Sequence, residues 1–414
     1  MNTLLARRLD AVKPSPSMAA KATVDRLRAE GRRIIDLTIG EPDFPTPSHI
    51  VEGGVQALRD GHTRYTGSAG TPALRKAIAA KLARENGLSF QPSEIVVGSG
   101  AKQVIFNAFA ATLNEGDEVI VPAPFWVSYP DIVTLHGGVP VIVPGRAEDG
   151  FKLTAQALQA AITPRTRWLI LNTPNNPSGA VYSRAELEAL CAVLRLHPQV
   201  WVMTDEIYEH FVYGGATHLS PLNVAGDLQP RSLIVNGLSK AYAFTGWRIG
   251  YGAGPARLIG AINLLCTQST SCASAMSQAA AVVALDGPQD CVREAVAVFA
   301  ARRDAIVALL QAIPGIECAA PDGAFYVFPS VHGLYGQRTP SGTTLASDID
   351  VAAYLLESAG VATIDGTSYG IPGHLRISFA TSIEEIRAGC AAMALALSRC
   401  TRPVAAATPV SADS

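Results

Sequence analysis

Short apolar runs alternate with amphipathic helical stretches from about residue 48 to residue 283. A strand that is covered on both faces reads as a continuous apolar run, and its alternation with helices is typical of a mainly parallel sheet. The pattern therefore predicts an α/β domain with a mainly parallel, mixed sheet that is flanked by helices. The predicted strands of this domain lie at residues 95–97, 118–121, 139–143, 168–171, 200–203, 233–235 and 249–253.

The C-terminal part of the chain predicts a smaller α+β domain. A long amphipathic helix is expected at about 288–313, with strands at 324–328 and 375–379 and a helix at 350–358. The last helix should begin at Ser382, because Glu385 follows at the spacing of a capping box.

A turn-rich segment at residues 40–47 contains three prolines, a glycine and an aspartate, which indicates a crossing between two parts of the fold. We therefore expect the N-terminal segment to join the small domain. The expected division of the chain is 1–47 for the N-terminal segment, 48–287 for the large domain, 288–400 for the small domain and 401–414 for a loose tail.

Composition indicates a well-buried globular protein with a small-molecule site. Hydrophobic residues make up 48% of the chain and charged residues 16%, and a net charge of -2 offers no general attraction for nucleic acid or an anionic membrane. Seven cysteines without a C-x-x-C pair indicate reduced thiols, not disulfides or a metal site. The N-terminus lacks the order of a secretory signal and no apolar stretch could cross a bilayer, so we expect a cytoplasmic protein.

Polar chemistry follows directly after four predicted strands, where ligands bind in an open parallel sheet. Gly98-Ser99-Gly100-Ala101-Lys102 comes after the first strand and leads into a predicted helix at 104–111. Backbone N–H groups and the helix dipole could hold a phosphate here, although an ordinary tight turn is the alternative. Gln103 stands where a dinucleotide fingerprint has its third glycine, which disfavours a nicotinamide cofactor.

The next two strand ends carry an amide and a carboxylate. In the segment 172–179, prolines and a glycine hold Asn176 in a set direction, unless the segment is a plain turn. Asp205 ends a buried strand and needs a cation or hydrogen-bond donors, and Tyr208 can reach the same crevice. The alternative for Asp205 is a helix N-cap.

Lys240 follows the sixth predicted strand, where a cation is costly unless it is paired or neutral. One chemistry that suits it is imine formation with an aldehyde cofactor, and a surface lysine is the alternative. Together these groups fit pyridoxal phosphate, with Asp205 on the pyridine nitrogen and Asn176 and Tyr208 on the phenolic oxygen. Trp126 could stack on the ring or be a core aromatic residue.

A series of short segments then matches one known family in order. The segments are Lys13–Ser17, Gly40–Phe44, Arg64–Thr66, Gly100–Gln103, Asn175–Gly179, Asp205–Tyr208, Ser239–Tyr251 and Leu375–Ser378. Over about residues 12–397 the chain resembles the class I pyridoxal-phosphate aminotransferases of the aspartate aminotransferase group, which have fold-type I.

The resemblance implies pyridoxal 5'-phosphate bound as an imine to Lys240, with Asp205 and Tyr208 as the other catalytic residues. It implies that Arg376 binds the substrate α-carboxylate, and that the protein is a homodimer in which Tyr65 reaches the neighbouring active site. The implied cofactor contacts are Tyr65, Gly100, Ala101, Lys102, Trp126, Asn176, Asp205, Tyr208, Ser239, Lys240 and Arg248. The implied substrate contacts are Gly40, Lys102, Trp126, Asn176 and Arg376.

The resemblance also implies ping-pong transamination between an L-amino acid and a 2-oxo acid. A lysine at the position of Lys102 is associated in this group with reading a distal carboxylate, which favours aspartate and glutamate. A phosphate-loop or solvated lysine is the alternative. Gly237, Cys272-Ala273 and Ser17 depart from the residues common in the group. The first two departures should perturb cofactor or dimer contacts mildly, and Ser17 bears on substrate choice.

Other functions stay open beside this one. Prephenate is also a dicarboxylate and is the main substrate alternative, ahead of aromatic amino acids. A β-lyase or cyclase reaction on the same scaffold is a second alternative. A non-catalytic regulatory protein should carry a DNA-binding module, and no helix-turn-helix with a basic segment precedes residue 48.

Overall fold

The computed structural model describes residues 4–12 and 16–402 of the protein, and of Pro16 and Ser17 the backbone alone. The predicted role of Ser17 and the predicted tail beyond residue 402 lie outside the described part. Within these ranges we find no helix that combines the length and the apolar character needed to cross a membrane.

The described residues form twelve strands and twelve α-helices. The strands are β1 (Ile35–Asp36), β2 (Ile95–Gly98), β3 (Glu118–Ala123), β4 (Val139–Pro144), β5 (Thr166–Asn172), β6 (Trp201–Asp205), β7 (Ser232–Gly237), β8 (Gly250–Ala253), β9 (Tyr326–Val327), β10 (Val361–Ala362), β11 (Ile364–Asp365) and β12 (Leu375–Ser378). The helices are α1 (Pro16–Ala29), α2 (Ser48–Arg59), α3 (Pro72–Asn86), α4 (Ala101–Thr112), α5 (Ser128–Leu135), α6 (Ala155–Ala161), α7 (Arg184–Leu196), α8 (Ala256–Ser269), α9 (Ala275–Asp286), α10 (Asp290–Gln311), α11 (Asp348–Tyr354) and α12 (Ile383–Leu397).

The central sheet has the strand order β2-β8-β7-β6-β5-β3-β4. Strand β8 is antiparallel to both of its neighbours, and all other adjacent pairs are parallel. Each strand predicted for this sheet overlaps a strand of the structure, so the predicted α/β class is confirmed. Because β8 is antiparallel to both β2 and β7, these two neighbours run in the same direction. The carboxyl ends of all six strands other than β8 therefore lie along one edge of the sheet.

Helices cover both faces of this sheet. On β2, the side chains of Ile95 and Val97 join a core beneath α3, α7 and α9, whereas Val96 joins a separate core beneath α4, α5 and α8. Successive side chains of a strand point to opposite faces, so an uninterrupted apolar strand can fill two cores at once. Because both faces of these strands are buried, their sequences are continuous apolar runs, which is the pattern from which the strands were predicted.

A core beside the sheet, called the second core to distinguish it from those on the faces of the sheet, contains side chains from both the N-terminal and the C-terminal part of the described chain, such as Ile35 and Leu397. Strand β1 pairs in parallel with β10, and β12 lies between β11 and β9 in an antiparallel sheet. Helix α10 runs from one core to the other, since Val292 packs in the sheet core and Phe299 in this second core. The domain boundaries stated above stay a prediction.

Hydroxyl groups cap the starts of α3 and α12, and two predictions about the C-terminal helices need correction. The Thr71 hydroxyl accepts a hydrogen bond from Leu74 N at 3.3 Å and so caps α3. Ser382 caps α12 likewise, but the predicted capping box is half formed because the Glu385 carboxylate pairs with Arg33 at 3.2 Å. The predicted helix at 350–358 is α-helical only to Tyr354, after which one π-helical turn follows.

Candidate active site

A cleft of about 510 Å³ opens at the carboxyl edge of the central sheet. Side chains of the second core close its other side. It brings together these predicted site residues: Gly40, Ala101, Lys102, Trp126, Asn176, Asp205, Tyr208, Ser239, Lys240, Arg248 and Arg376. Gly100 lies next to the cleft, below the Arg248 guanidinium. Tyr65 lies outside the cleft, with its side chain 89% exposed.

Lys240 is held by a turn that follows β7. Leu238 and Phe244 are fully buried on either side of it and anchor the turn to the sheet core. The Lys240 amine therefore projects into the cleft, where it donates a hydrogen bond to the Gly40 carbonyl and lies 5.7 Å from the centroid of the Tyr208 ring.

The environment of the Lys240 amine favours its neutral form. Burial lowers the pKa of Lys240 to about 8, nearby Glu41 opposes this shift, and the positive charges of Arg376 and Arg248 add to it. An amine with this pKa can serve as a nucleophile and as a carrier of protons near neutral pH.

Asp205 lies at the end of β6 and is almost completely buried. Its carboxylate accepts hydrogen bonds from the Tyr129 hydroxyl at 2.6 Å and from Ile207 N at 3.3 Å. Burial raises the pKa of Asp205 to about 6, and the Tyr129 hydroxyl counteracts part of that rise. No α-helix begins directly after Asp205 in the described chain, because the residues that follow form a turn. The alternative role of Asp205 as a helix N-cap is therefore wrong.

Two asparagines connect the ends of β5 and β6. The Asn172 amide donates to the Asp205 carbonyl at 3.0 Å, and its own oxygen accepts from Asn176 N at 2.9 Å. The Asn176 side chain is thereby held in the cleft. Beyond it, the hydroxyls of Tyr208 and Tyr326 form a hydrogen bond of 3.0 Å, and burial raises the pKa of Tyr208 so that it stays protonated.

Arg376 lies in the middle of β12 and is only 2% exposed. Its guanidinium donates to the Thr38 carbonyl and approaches Asn176 Oδ1 at 3.5 Å, and it lies 4.7 Å from the Tyr326 ring centroid. Among the described residues, Nε has no hydrogen-bond partner and no carboxylate lies within ion-pair distance. A buried guanidinium in this state is well suited to bind a carboxylate through its paired donors.

The loop between β2 and α4 forms a cup at the start of the helix. Ser99 N and Gly100 N already donate to Gln103 Oε1 and to Gly98 O, and Ala101 and Lys102 line the cleft. The first N–H groups of a helix lack partners within the helix, and here they begin at Ala101. Close packing produces the cup, because a Cβ on Gly250 would lie 2.1 Å from Ala101 N and one on Gly100 would lie 2.3 Å from Arg248 Nη2. Arg248 donates to Ser99 O at 3.4 Å, which places its positive charge beside the cup.

Lys102 follows the cup on the first turn of α4. Its amine lies 4.6 Å from the centroid of the Trp126 ring, a cation–π distance. Lys102 as a whole residue is exposed, but partial burial of its amine lowers its pKa, and the charge of Arg248 adds to the effect. Within the described residues no carboxylate lies within ion-pair distance of Lys102, so its charge is available to a ligand.

The residues of the cleft fit pyridoxal phosphate. The cup and Arg248 match its phosphate, the Asp205 carboxylate matches its ring nitrogen, and the Lys240 amine matches its aldehyde. Among the described residues, Arg376 Nε lacks a hydrogen-bond partner and the Lys102 amine lacks an acidic partner, and these two groups mark two places for anionic groups of a substrate.

Several residues that line the cleft were not predicted from the sequence, and two of them contact predicted site residues through their hydroxyl groups or rings. Tyr129 donates to Asp205 from α5, and Tyr326 contacts both Tyr208 and Arg376 from β9. Trp126 precedes Tyr129 by three residues, which is the only local signal that α5 faces the cleft. Nothing in the apolar run around Tyr326 indicates that its hydroxyl reaches the site.

Comparison with known proteins gives a consistent family. The family described as aminotransferase class I and II matches residues 32–393. A probable aspartate/prephenate aminotransferase of Rhizobium leguminosarum bv. phaseoli is 50% identical over 386 residues, covering 93% of this chain and 96% of that protein.

Solved structures agree with the sequence comparison. The aspartate aminotransferase of Rhizobium meliloti has a TM-score of 0.94 at 47% identity, covering 97% of this chain and 100% of its own. That of Thermus thermophilus, solved with maleate, has a TM-score of 0.89 at 42% identity, covering 96% and 100%. These likenesses confirm the fold-type I architecture that the sequence motifs implied. The chain therefore belongs to the class I and II aminotransferases.

Proposed function

We propose that this aminotransferase moves an amino group between L-aspartate or L-glutamate and a 2-oxo acid by a ping-pong mechanism, with pyridoxal phosphate attached to Lys240. The family implies the cofactor and implies amino and oxo acids as substrates. The observation that carries the proposal is the convergence of three groups in one cleft: the Lys240 amine, the Asp205 carboxylate and the Arg376 guanidinium, whose Nε has no hydrogen-bond partner among the described residues.

When bound, pyridoxal phosphate supplies an aldehyde that reacts with amines and a ring that accepts electron density from the substrate Cα. The chain's own residues would hold and orient it. Asp205 would pair with the ring nitrogen, and Asn176 and Tyr208 would contact the phenolic oxygen. The hydrogen bonds of Asn172 link the end of β6 to Asn176 and so fix the relative position of these groups. The residues proposed to hold the phosphate and the ring face are Gly100, Ala101, Ser239, Arg248 and Trp126.

Lys240 would also move the proton that transamination requires. Its amine, once free, takes a proton from the substrate Cα and later returns one. Because burial brings the pKa of Lys240 to about 8, the amine can both accept and release a proton near neutral pH.

Arg376 would bind the α-carboxylate of the substrate. Its Nη2 is engaged with the Thr38 carbonyl, whereas Nε has no partner among the described residues. The ring of Tyr326 at 4.7 Å keeps the guanidinium plane in place, so the carboxylate meets a preformed site. Gly40 and Asn176 line the same end of the cleft.

Lys102 would read the distal carboxylate of a dicarboxylic substrate. Its support is that the amine lines the cleft without an acidic partner in the described chain. The similar Thermus thermophilus enzyme was solved with maleate, which is a dicarboxylate. Prephenate carries two carboxylates as well, and relatives are named for both substrates, so prephenate is a second candidate amino acceptor.

We further propose a cytoplasmic homodimer in which Tyr65 contacts the cofactor phosphate of the neighbouring subunit. The support is that the Tyr65 side chain is 89% exposed and lies outside its own chain's cleft, whereas large aromatic side chains are usually covered. Sedimentation velocity should give the mass of two chains, and a stable monomer with full activity would contradict the proposal.

A Lys102→Met variant tests the substrate assignment. Loss of one charge-assisted contact of about 2–3 kcal/mol should lower kcat/KM for L-aspartate by about 30- to 150-fold, with kcat/KM for L-alanine unchanged. Lys76→Met, a change of an exposed lysine on α3, is the matched control and should leave both values unchanged.

Two outcomes would redirect the assignment. An equal loss for aspartate and alanine together with weaker pyridoxal phosphate binding would show that Lys102 serves the phosphate. Reaction with the amination product of prephenate but not with aspartate would assign prephenate as the main substrate.

A further inference from the structure

A second group of ionisable side chains lies in the segment that carries Asp205 and Tyr208. Glu206 and Glu209 alternate with these two residues in sequence but do not line the active-site cleft. Potential ligand atoms of Glu206, Glu209 and His218 all lie within 4.8 Å of one another. The side chains are 0%, 6% and 7% exposed, respectively.

Neighbouring side chains orient this cluster of Glu206, Glu209 and His218. Glu209 accepts hydrogen bonds of 2.6 Å from both Asn86 and Asn236, and Glu206 Oε1 accepts one of 2.9 Å from the Thr204 hydroxyl. Oriented carboxylates of this kind are typical around bound metal ions, where outer residues fix the ligands.

Three polar atoms of the cluster have no hydrogen-bond partner in the described part of the chain. They are Glu206 Oε2 and both ring nitrogens of His218. His218 Nε2 lies 3.3 Å from Glu206 Oε2, which is an ion-pair distance when the imidazole is protonated, but the contact lacks the geometry of a hydrogen bond. Burial opposes protonation of His218, whereas the Glu206 carboxylate raises its pKa. Buried polar atoms normally have partners, so Glu206 Oε2 and the ring nitrogen of His218 that faces it, Nε2, point to a ligand between them.

The charge balance favours a cation as this ligand. The buried amine of Lys81 contacts Glu209, lies 2.9 Å from Asn86 Oδ1 and 3.6 Å from Glu85. The N–H donors of the Lys81 amine are therefore used by Glu209, Asn86 and Glu85, and Lys81 does not neutralise Glu206. Glu206 is completely buried, and apart from His218 no cationic side chain of the described residues lies within ion-pair distance of it. A buried carboxylate without a cation is strongly unfavourable.

The cluster is accessible from outside. A groove of about 680 Å³ is lined by Glu209, His210 and His218 and shares no lining residue with the active-site cleft. His210 Nδ1 lies 3.9 Å from Glu209 Oε1, so His210 or water can complete a coordination shell. An ion can therefore enter without passing through the active site.

We propose that Glu206, Glu209 and His218 bind one divalent transition-metal ion of the Zn²⁺ class per chain. Two carboxylates and an imidazole form a ligand set that suits Zn²⁺ and Co²⁺, which bind such oxygen and nitrogen atoms at about 2.0–2.2 Å. Since Glu206 and Glu209 adjoin Asp205 and Tyr208, the ion braces the backbone segment that presents both residues to the active site.

The test is a titration of the cofactor-loaded, chelator-treated protein with CoCl₂, followed by visible absorbance, and then with ZnCl₂ as competitor. The expected result is one Co²⁺ per chain, displaced by Zn²⁺, with a higher unfolding temperature in the presence of either ion. His218→Gln and Glu206→Gln should each weaken binding at least tenfold. His197→Gln, which changes a histidine outside the cluster, should bind like the wild type.

The proposal is overturned if wild-type protein binds no stoichiometric Co²⁺ or Zn²⁺, which would indicate instead that a protonated His218 pairs with Glu206. It is equally overturned if His218→Gln binds as tightly as the wild type. Circular dichroism establishes that each variant is folded, and His218→Gln alone decides the matter if Glu206→Gln does not fold. Because the readout is metal binding, its failure leaves the proposed transamination untouched.

Discussion

Removal of the Tyr129 hydroxyl should shift the pH range in which the protein binds its cofactor. The hydroxyl donates a buried hydrogen bond of 2.6 Å to the Asp205 carboxylate and lowers the pKa of that carboxyl, which burial raises to about 6. A hydrogen bond to a buried charge contributes about 1.5–3 kcal/mol, which corresponds to a shift of about one to two pKa units. Tyr129→Phe should therefore raise the pKa of Asp205 by that amount.

The assay measures the dissociation constant for pyridoxal phosphate binding to the apoenzyme from pH 5 to pH 9. Asp205 must be ionised to pair with the ring nitrogen, so affinity falls as the pH falls through its pKa. In Tyr129→Phe the fall should begin about one to two pH units higher than in the wild type. The other titrating groups are common to both proteins, so the difference isolates this pair. Coincident curves for the two proteins would refute the reasoning.

Three further predictions follow from the geometry of the cleft. Arg376→Lys removes the fork that holds a carboxylate and should lower kcat/KM for L-aspartate at least about 30-fold without changing cofactor affinity; a parallel loss of cofactor affinity would contradict this. Gly250→Ala places a Cβ 2.1 Å from Ala101 N, so it should weaken cofactor binding and lower stability by about 1–3 kcal/mol, whereas unchanged cofactor affinity would argue against the cup. The rate at which apoenzyme captures the cofactor should rise with pH through the Lys240 pKa of about 8, because the neutral amine attacks; a flat profile from pH 6 to pH 10 would oppose this.

The parts of the fold that the sequence predicted well are those with strong local signals. Strands β2, β3, β5, β6 and β7 are apolar on both faces, and polar residues stand at or directly after the ends of β2, β5, β6 and β7, so both the position of the strands and the edge that carries the site could be inferred. The direction of β8 could not be inferred, because an apolar run reads the same in parallel and antiparallel pairing.

Site residues could be predicted where they follow a strand, as Asp205 and Lys240 do. Tyr129 and Tyr326 could not, because their importance depends on hydrogen bonds to residues far away in the chain. Glu385 shows the same limit at a helix end. Its spacing from Ser382 is that of a capping box, yet a tertiary ion pair with Arg33 takes its carboxylate.

The most direct test of the proposed function is a half-reaction without an amino acceptor. L-Aspartate is added to the cofactor-loaded protein, and loss of the visible cofactor absorbance is followed together with oxaloacetate formation. The wild type should form one oxaloacetate per active site as the absorbance is lost, and a folded Lys240→Ala variant should form none on the same timescale. Transamination retained by Lys240→Ala, or release of ammonia from L-aspartate without formation of oxaloacetate, would contradict the account.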